Sequence, residues 1–131
     1  MNQKTTAIVI VTTGLFIAAF ILLAGYAETS ESKTLINNVS VVNGKQIVEI
    51  GAKGGYEPKI SIAKAGIPTT LRVETSGTFD CSSALVIPKI KYRANLPPSG
   101  VTEINVPAQK SGAELQGLCG MGMYTFKVTF L

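Results

Sequence analysis

A chain of 131 residues with 12 Lys+Arg, 8 Asp+Glu and no histidine carries a formal net charge of +4. The missing imidazole excludes a catalytic triad in its usual form, the common zinc sites that use histidine, and a blue-copper centre built on two imidazoles and a thiolate. The basic residues are scattered, without a long run or an aromatic-basic stripe, which reads as a solvated surface and not as a nucleic-acid footprint.

From the N-terminus, Thr5 to Ala27 contains no charged residue and is dominated by Ala, Val, Ile, Leu and Phe. A helix needs roughly 20 such residues to cross the hydrocarbon core of a bilayer. Lys4 is the only charge before the run, so the positive-inside tendency puts the N-terminus in the cytoplasm and the remainder outside. Two readings compete: a retained single-pass anchor, or a signal peptide cut after Gly25-Tyr26-Ala27. The length of the run favours the anchor, and both readings export the rest of the chain. The corresponding alternative locations are the cell membrane with the C-terminal domain outside the cytoplasm, or a secreted or periplasmic domain. Residues 28–44 are polar and read as a linker with an early strand around Val39–Val42. Residues 45–131 suffice for one small domain.

That domain punctuates as all-β. Gln46–Ala52 has the β-branched content of a strand, broken by Gly54, Gly55 and Pro58. Lys59–Ala63 alternates with Ile60 and Ile62 on one face. After a turn at Lys64-Ala65-Gly66, Thr69–Thr75 places Leu71 and Val73 together. A turn at Ser76-Gly77 precedes the short apolar run Ala84–Ile87, which ends at Pro88. Thr102–Val106 directs Ile104 and Val106 inward, Ala113–Leu118 supplies a weaker strand, and Tyr124–Phe130 alternates Tyr124, Phe126, Val128 and Phe130 against polar neighbours. Short strands at this spacing, with no amphipathic helix, predict a Greek-key sandwich or barrel.

Chemistry concentrates in Cys119-Gly120-Met121-Gly122-Met123, one thiol and two thioethers within five residues, with Cys81 as the second cysteine. Soft sulfur ligands select Cu(I) over harder divalent ions. The competing reading is structural: two cysteines in a small exported β domain ordinarily form a disulfide, and a methionine is ordinarily core filler. A reversible disulfide would allow both states. Tyr56, Tyr92 and Tyr124 read as core or rim aromatics. Glu57 and Asp80 could lie near a metal, though isolated carboxylates are ordinarily solvated; Asp80, beside Cys81, is open to a supporting role behind a ligand. General acid–base groups are sparse and unclustered, so the chain is not expected to be an enzyme.

Several segments resemble one family. Gly55-Tyr56-Glu57-Pro58, Ile60-Ser61-Ile62 and Lys64-Ala65-Gly66-Ile67-Pro68-Thr69-Thr70-Leu71 are similar to the opening of a cupredoxin-like domain, with its aromatic-x-Pro segment, strand, small-Gly-x-Pro turn and next strand. Cys81-Ser82-Ser83, leading into Leu85-Val86-Ile87-Pro88, resembles the cysteine-containing branch, where such a segment takes the place of the first copper-ligand histidine. Cys119-Gly120-Met121-Gly122-Met123 resembles that branch's C-terminal Cys-x-Met-Gly-Met loop, the most specific of these motifs. The resemblance spans Gln46 to Leu131. It implies an all-β, Greek-key cupredoxin-like domain behind a single N-terminal transmembrane helix or signal segment. It also implies a Cu(I) site on Cys81, Cys119 and Met123, with Met121 a weaker candidate. Partners implied are the copper ion, the membrane through the N-terminal segment, and a copper-transporting membrane protein or oxidase. Copper storage, delivery or detoxification is the function expected. Electron transfer through a sulfur-rich site and a metal-free, disulfide-stabilised interaction domain are the alternatives.

Overall fold

A computed structural model of the protein describes residues 37–131. The apolar segment read as an anchor or signal, and most of the polar stretch after it, lie outside the described residues. Ten strands form two five-stranded sheets. In the first, β1 (Val39–Val42), β2 (Lys45–Ala52), β5 (Thr69–Ser76) and β8 (Ser99–Val106) lie side by side, and the two-residue β3 (Tyr56–Glu57) adds to β2. In the second, the order is β4 (Ile60–Ala63), β10 (Thr125–Phe130), β9 (Glu114–Cys119), β6 (Ala84–Ile87) and β7 (Tyr92–Asn95). Among the described residues the helices are two single 3-10 turns, Cys81–Ser83 and Pro88–Ile90. The early strand expected at Val39–Val42 is present and pairs with β2, so the folded unit starts ahead of Lys45.

Both sheets are mixed. β2 runs parallel to β5, and β4 parallel to β10, while the remaining pairs are antiparallel. Parallel neighbours cannot be joined by a tight hairpin. The chain accordingly visits the second sheet with β4 before it returns as β5. Period-2 alternation builds the core between the sheets. Val48 and Ile50 of β2, Leu71 and Val73 of β5, and Ile104 and Val106 of β8 meet Leu85, Ile87, Leu115, Phe126, Val128 and Phe130. Ile60 and Ile62 do share a face, but it is the outward one. On the edge strand β4 the residues turned inward are Ser61 and Ala63, and the Ser61 hydroxyl accepts a hydrogen bond from Asn38 Nδ2 (2.7 Å).

Two local features fix how the sheets close. Gln46 is fully buried at the start of β2, where its amide donates to Lys64 O and Thr69 Oγ1 and accepts from Lys64 N–H, tying the β4–β5 turn to the first sheet. Gly117, opposite Phe126 on β10, leaves the space that the Phe126 ring fills: a Cβ there would overlap Cε1 and Cζ. The same ring meets Tyr56 edge-on at 5.2 Å, a favoured aromatic geometry. Because Gly117 sits in a strand backbone paired on β10, neither side can yield freely. Gly117→Ala is therefore expected to lower stability by about 1–3 kcal/mol through overpacking, read as a shift of the urea midpoint with an unchanged m-value.

Candidate metal centre

Cys119 is the last residue of β9 and is completely buried. Leu85 of β6 is its register partner, and the following Gly120 N–H donates to Ala84 O (2.7 Å). On the other side its own N–H donates to Tyr124 O (3.0 Å). Its position is thus set by strands on both flanks.

Cys81 is held differently. It opens the single 3-10 turn that leads into β6, and it is half-buried. Asp80 caps this turn: Oδ1 accepts from Ser82 N–H (2.8 Å) and from the Ser82 hydroxyl, and the Asp80 carbonyl accepts from Ser83 N–H (3.1 Å) and Ser83 Oγ (2.8 Å). Its second oxygen accepts from Gly54 N–H (2.9 Å), across the loop between β2 and β3. Hydrogen bonds from the Ser82 hydroxyl and then from backbone N–H groups hold the Asp80 carboxyl below the usual carboxylate range, since each favours the anion. Tyr56 makes a second tie between the same loops by donating to Ser82 O (3.0 Å). Burial, and secondarily the Asp80 charge, push the Tyr56 phenol up from 10 to about 12.

These supports bring the two cysteines together. Their Cα atoms lie 5.6 Å apart and their sulfurs are joined as a disulfide across a separation of 38 residues. The bridged state weighed as the structural alternative is therefore the state of this structure. The two methionines lie beside it in sequence on the connection from β9 to β10. Gly122 N–H donates to Cys119 O (2.7 Å), closing a tight turn in which Gly122 has φ +72°. Only a residue tolerant of the left-handed region fits there. Met121 and Met123 are 75% and 64% exposed, so neither is the core filler of the competing reading. Tyr124 N–H points at Cys119 Sγ (3.5 Å). Phe79, two residues before Cys81, is 83% exposed. Among the described residues no three Cys, Asp or Glu side chains gather into a hard-metal site. The two cysteine sulfurs are brought together in the disulfide.

Tyr56, Tyr92 and Tyr124 are the core or rim aromatics expected, Tyr56 buried and the others half-buried. Glu57 is exposed, whereas Asp80 proves to be the cap of the cysteine-bearing turn. The tie from Asp80 to Gly54 was not legible in the sequence. The local half of it was, because an aspartate two residues before a serine is a common turn and cap signature.

Residues 15–130 match the model of the cupredoxin-like domain. The chain belongs to this family. No curated protein is similar to the chain at a significant level. Among the solved structures that share the fold are two copper-related domains. The metal-binding domain of the Cu(I)-exporting P-type ATPase CopA of Streptococcus pneumoniae D39, determined with Cu(I), is 22% identical with a TM-score of 0.63, over 71% of this chain and 92% of that domain. A copper-binding protein in its apo form is 24% identical with a TM-score of 0.64, over 71% of this chain and 94% of that one. In this cupredoxin-like domain the sulfur pair lies where β9 ends, beside the start of β6.

Two outcomes follow from the geometry. Reducing the Cys81–Cys119 bridge is expected to lower the free energy of unfolding by about 3–4 kcal/mol on chain-entropy grounds, measured as the difference between urea titrations with and without a phosphine reductant. The fold favours the protonated Tyr56 phenol, so the stability it contributes is intact below pH 10 and is lost as pH rises toward about 12. A tyrosinate absorbance titration should show one late ionisation that Tyr56→Phe deletes.

Proposed function

We propose that this cupredoxin-like protein, once its disulfide is reduced, binds Cu(I) through the thiolates of Cys81 and Cys119 and the thioether of Met123, with Met121 as a further sulfur donor. The observation that carries this reading is the convergence of the only two cysteines in the chain, beside a turn bearing two exposed methionines. Two thiolates on Cu(I) make a soft centre of net charge −1, and with no imidazole to stabilise the cupric state the site favours copper held as Cu(I). Such a centre suits storage, delivery or detoxification of copper as cargo. The two solved domains of the same fold, one of them determined with Cu(I), lend support.

The uncharged run from Thr5 to Ala27 supports an exported, membrane-tethered protein whose domain works outside the cytoplasm. There it would exchange copper with a transporting membrane protein or an oxidase, without catalysing a reaction of its own. The disulfide favours a second reading, a metal-free domain stapled for interaction with a partner.

Anaerobic titration of the reduced protein with Cu(I), in competition with a chromogenic chelator, separates the two. Tight binding abolished by Cys81→Ser and by Cys119→Ser, and weakened roughly tenfold by Met123→Leu (about 1.4 kcal/mol), is the expected result. Failure of the reduced wild type to withdraw copper from the chelator, with a closed disulfide in protein isolated from its host, would establish the second reading instead.

A further inference from the structure

The two cysteines are held in unequal ways. Cys119 ends a strand bonded on both sides, to β6 and to β10. Cys81 stands on a three-residue 3-10 turn whose internal backbone bonds are Ser83 N–H to Asp80 O (3.1 Å) and the following Ala84 N–H to Cys81 O. A helical turn this short does not hold its own shape, because its nucleation entropy is not repaid within three residues. Something outside the turn must fix it, above all when the S–S bond is open.

We propose that Asp80 is the positioning residue of the sulfur pair, holding Cys81 against Cys119 in the reduced protein by clamping its turn to the Gly54-Gly55 loop. Oδ1 locks the turn from within through Ser82 N–H and the Ser82 hydroxyl, and Oδ2 takes Gly54 N–H at 2.9 Å. The clamp continues to the other cysteine. Gly55, at φ +130°, faces the Tyr124 ring, and a Cβ there would stand 3.6 Å from Cδ1. Tyr124 N–H in turn reaches Cys119 Sγ at 3.5 Å. A line of neighbouring groups thus runs from the Cys81 turn through Asp80, Gly54 and Gly55 to Tyr124 and Cys119, and it does not pass through the S–S bond. Tyr56, bonded from β3 to Ser82 O, reinforces the same closure from the core side. Preorganisation of this kind raises the effective concentration of one thiol at the other and spares the ordering cost when a shared ligand is bound. For the copper ligand, the inference rests on the function proposed above; for the thiol pair itself, it does not.

Equilibration of the full chain with dithiothreitol tests the thiol pair without metal. Two electrons and two protons pass from dithiothreitol to the protein disulfide, giving two cysteine thiols and the cyclic disulfide of the reagent, and trapping by alkylation yields the effective concentration of the pair. Asp80→Ala should lower that value about tenfold, on the scale of one charged hydrogen bond. Asp80→Asn keeps an oxygen for Ser82 but presents an N–H₂ group to Gly54 N–H, so it should fall between the two. Gln46→Ala, at the opposite end of β2, should lower thermal stability while leaving the effective concentration unchanged. This separates positioning from mere loss of stability.

In the copper arm, Asp80→Ala and Asp80→Asn should weaken Cu(I) binding about 10- to 100-fold, as loss of a ligand's supporting hydrogen bonds does. An effective concentration equal to wild type in both Asp80 variants would overturn the inference, whatever copper does. A wild type that ignores Cu(I), while the Asp80 variants still lose effective concentration, would sustain the inference and refute the copper function. Should Asp80→Ala fail to fold, Asp80→Asn alone decides.

Discussion

The join between β6 and β9 is the constraint on which the rest of the site depends. Two register pairs, Leu85 with Cys119 and Val86 with Leu118, and the bond from Gly120 N–H to Ala84 O bring the end of β9 beside the start of β6. Cys81 lies only four residues before Leu85, so the turn between them starts within reach of Cys119, and the contacts of that turn set where Cys81 falls. The same join lies in the sheet whose inner face carries Leu85, Ile87, Leu115 and Cys119 itself, so core packing and sulfur geometry cannot vary independently. A slip of one residue in β9 would send Cys119 to the outer face and Leu118 inward.

Burial within the sulfur group is graded. Cys119 is sealed in the core, Cys81 is half-buried, and the two methionines stand in solvent. The gradient arises from the elements: a strand end faces the core, a capped turn sits at the rim, and a connection with Gly122 in the left-handed region projects outward. The disulfide ties up both thiols.

Parts of this arrangement are plain in the residues themselves. Alternation in β5, β8 and β10 located their inner faces, because one buried side of a strand forces period 2. Alternation could not say which side of β4 is buried. Ile60 and Ile62 look like core residues, yet β4 is an edge strand bonded only to β10, and there the small Ser61 and Ala63 fit inward. β7, Tyr92-Arg93-Ala94-Asn95, has a mixed polar pattern, and only its pairing with β6 makes it a strand. The parallel pairing of β2 with β5 is likewise a matter of topology, since both strands would show the same alternation in an antiparallel neighbour.

For the site, the sequence by itself determined the donor chemistry. Two cysteines, a Met-Gly-Met segment and no histidine make sulfur, not imidazole, the soft side-chain chemistry on offer, and softness is a property of residue identity. The Asp80–Ser82 cap was also open to reading, because such turns form between near neighbours in the chain. Only the tertiary structure decided that Cys81 meets Cys119, that Gly54 closes on Asp80, and that Tyr56 reaches Ser82. Each of these joins residues at least 26 positions apart. Contacts at that distance depend on which strands pair and in what register, and those choices come from burying the whole core at once, not from any local run of residues.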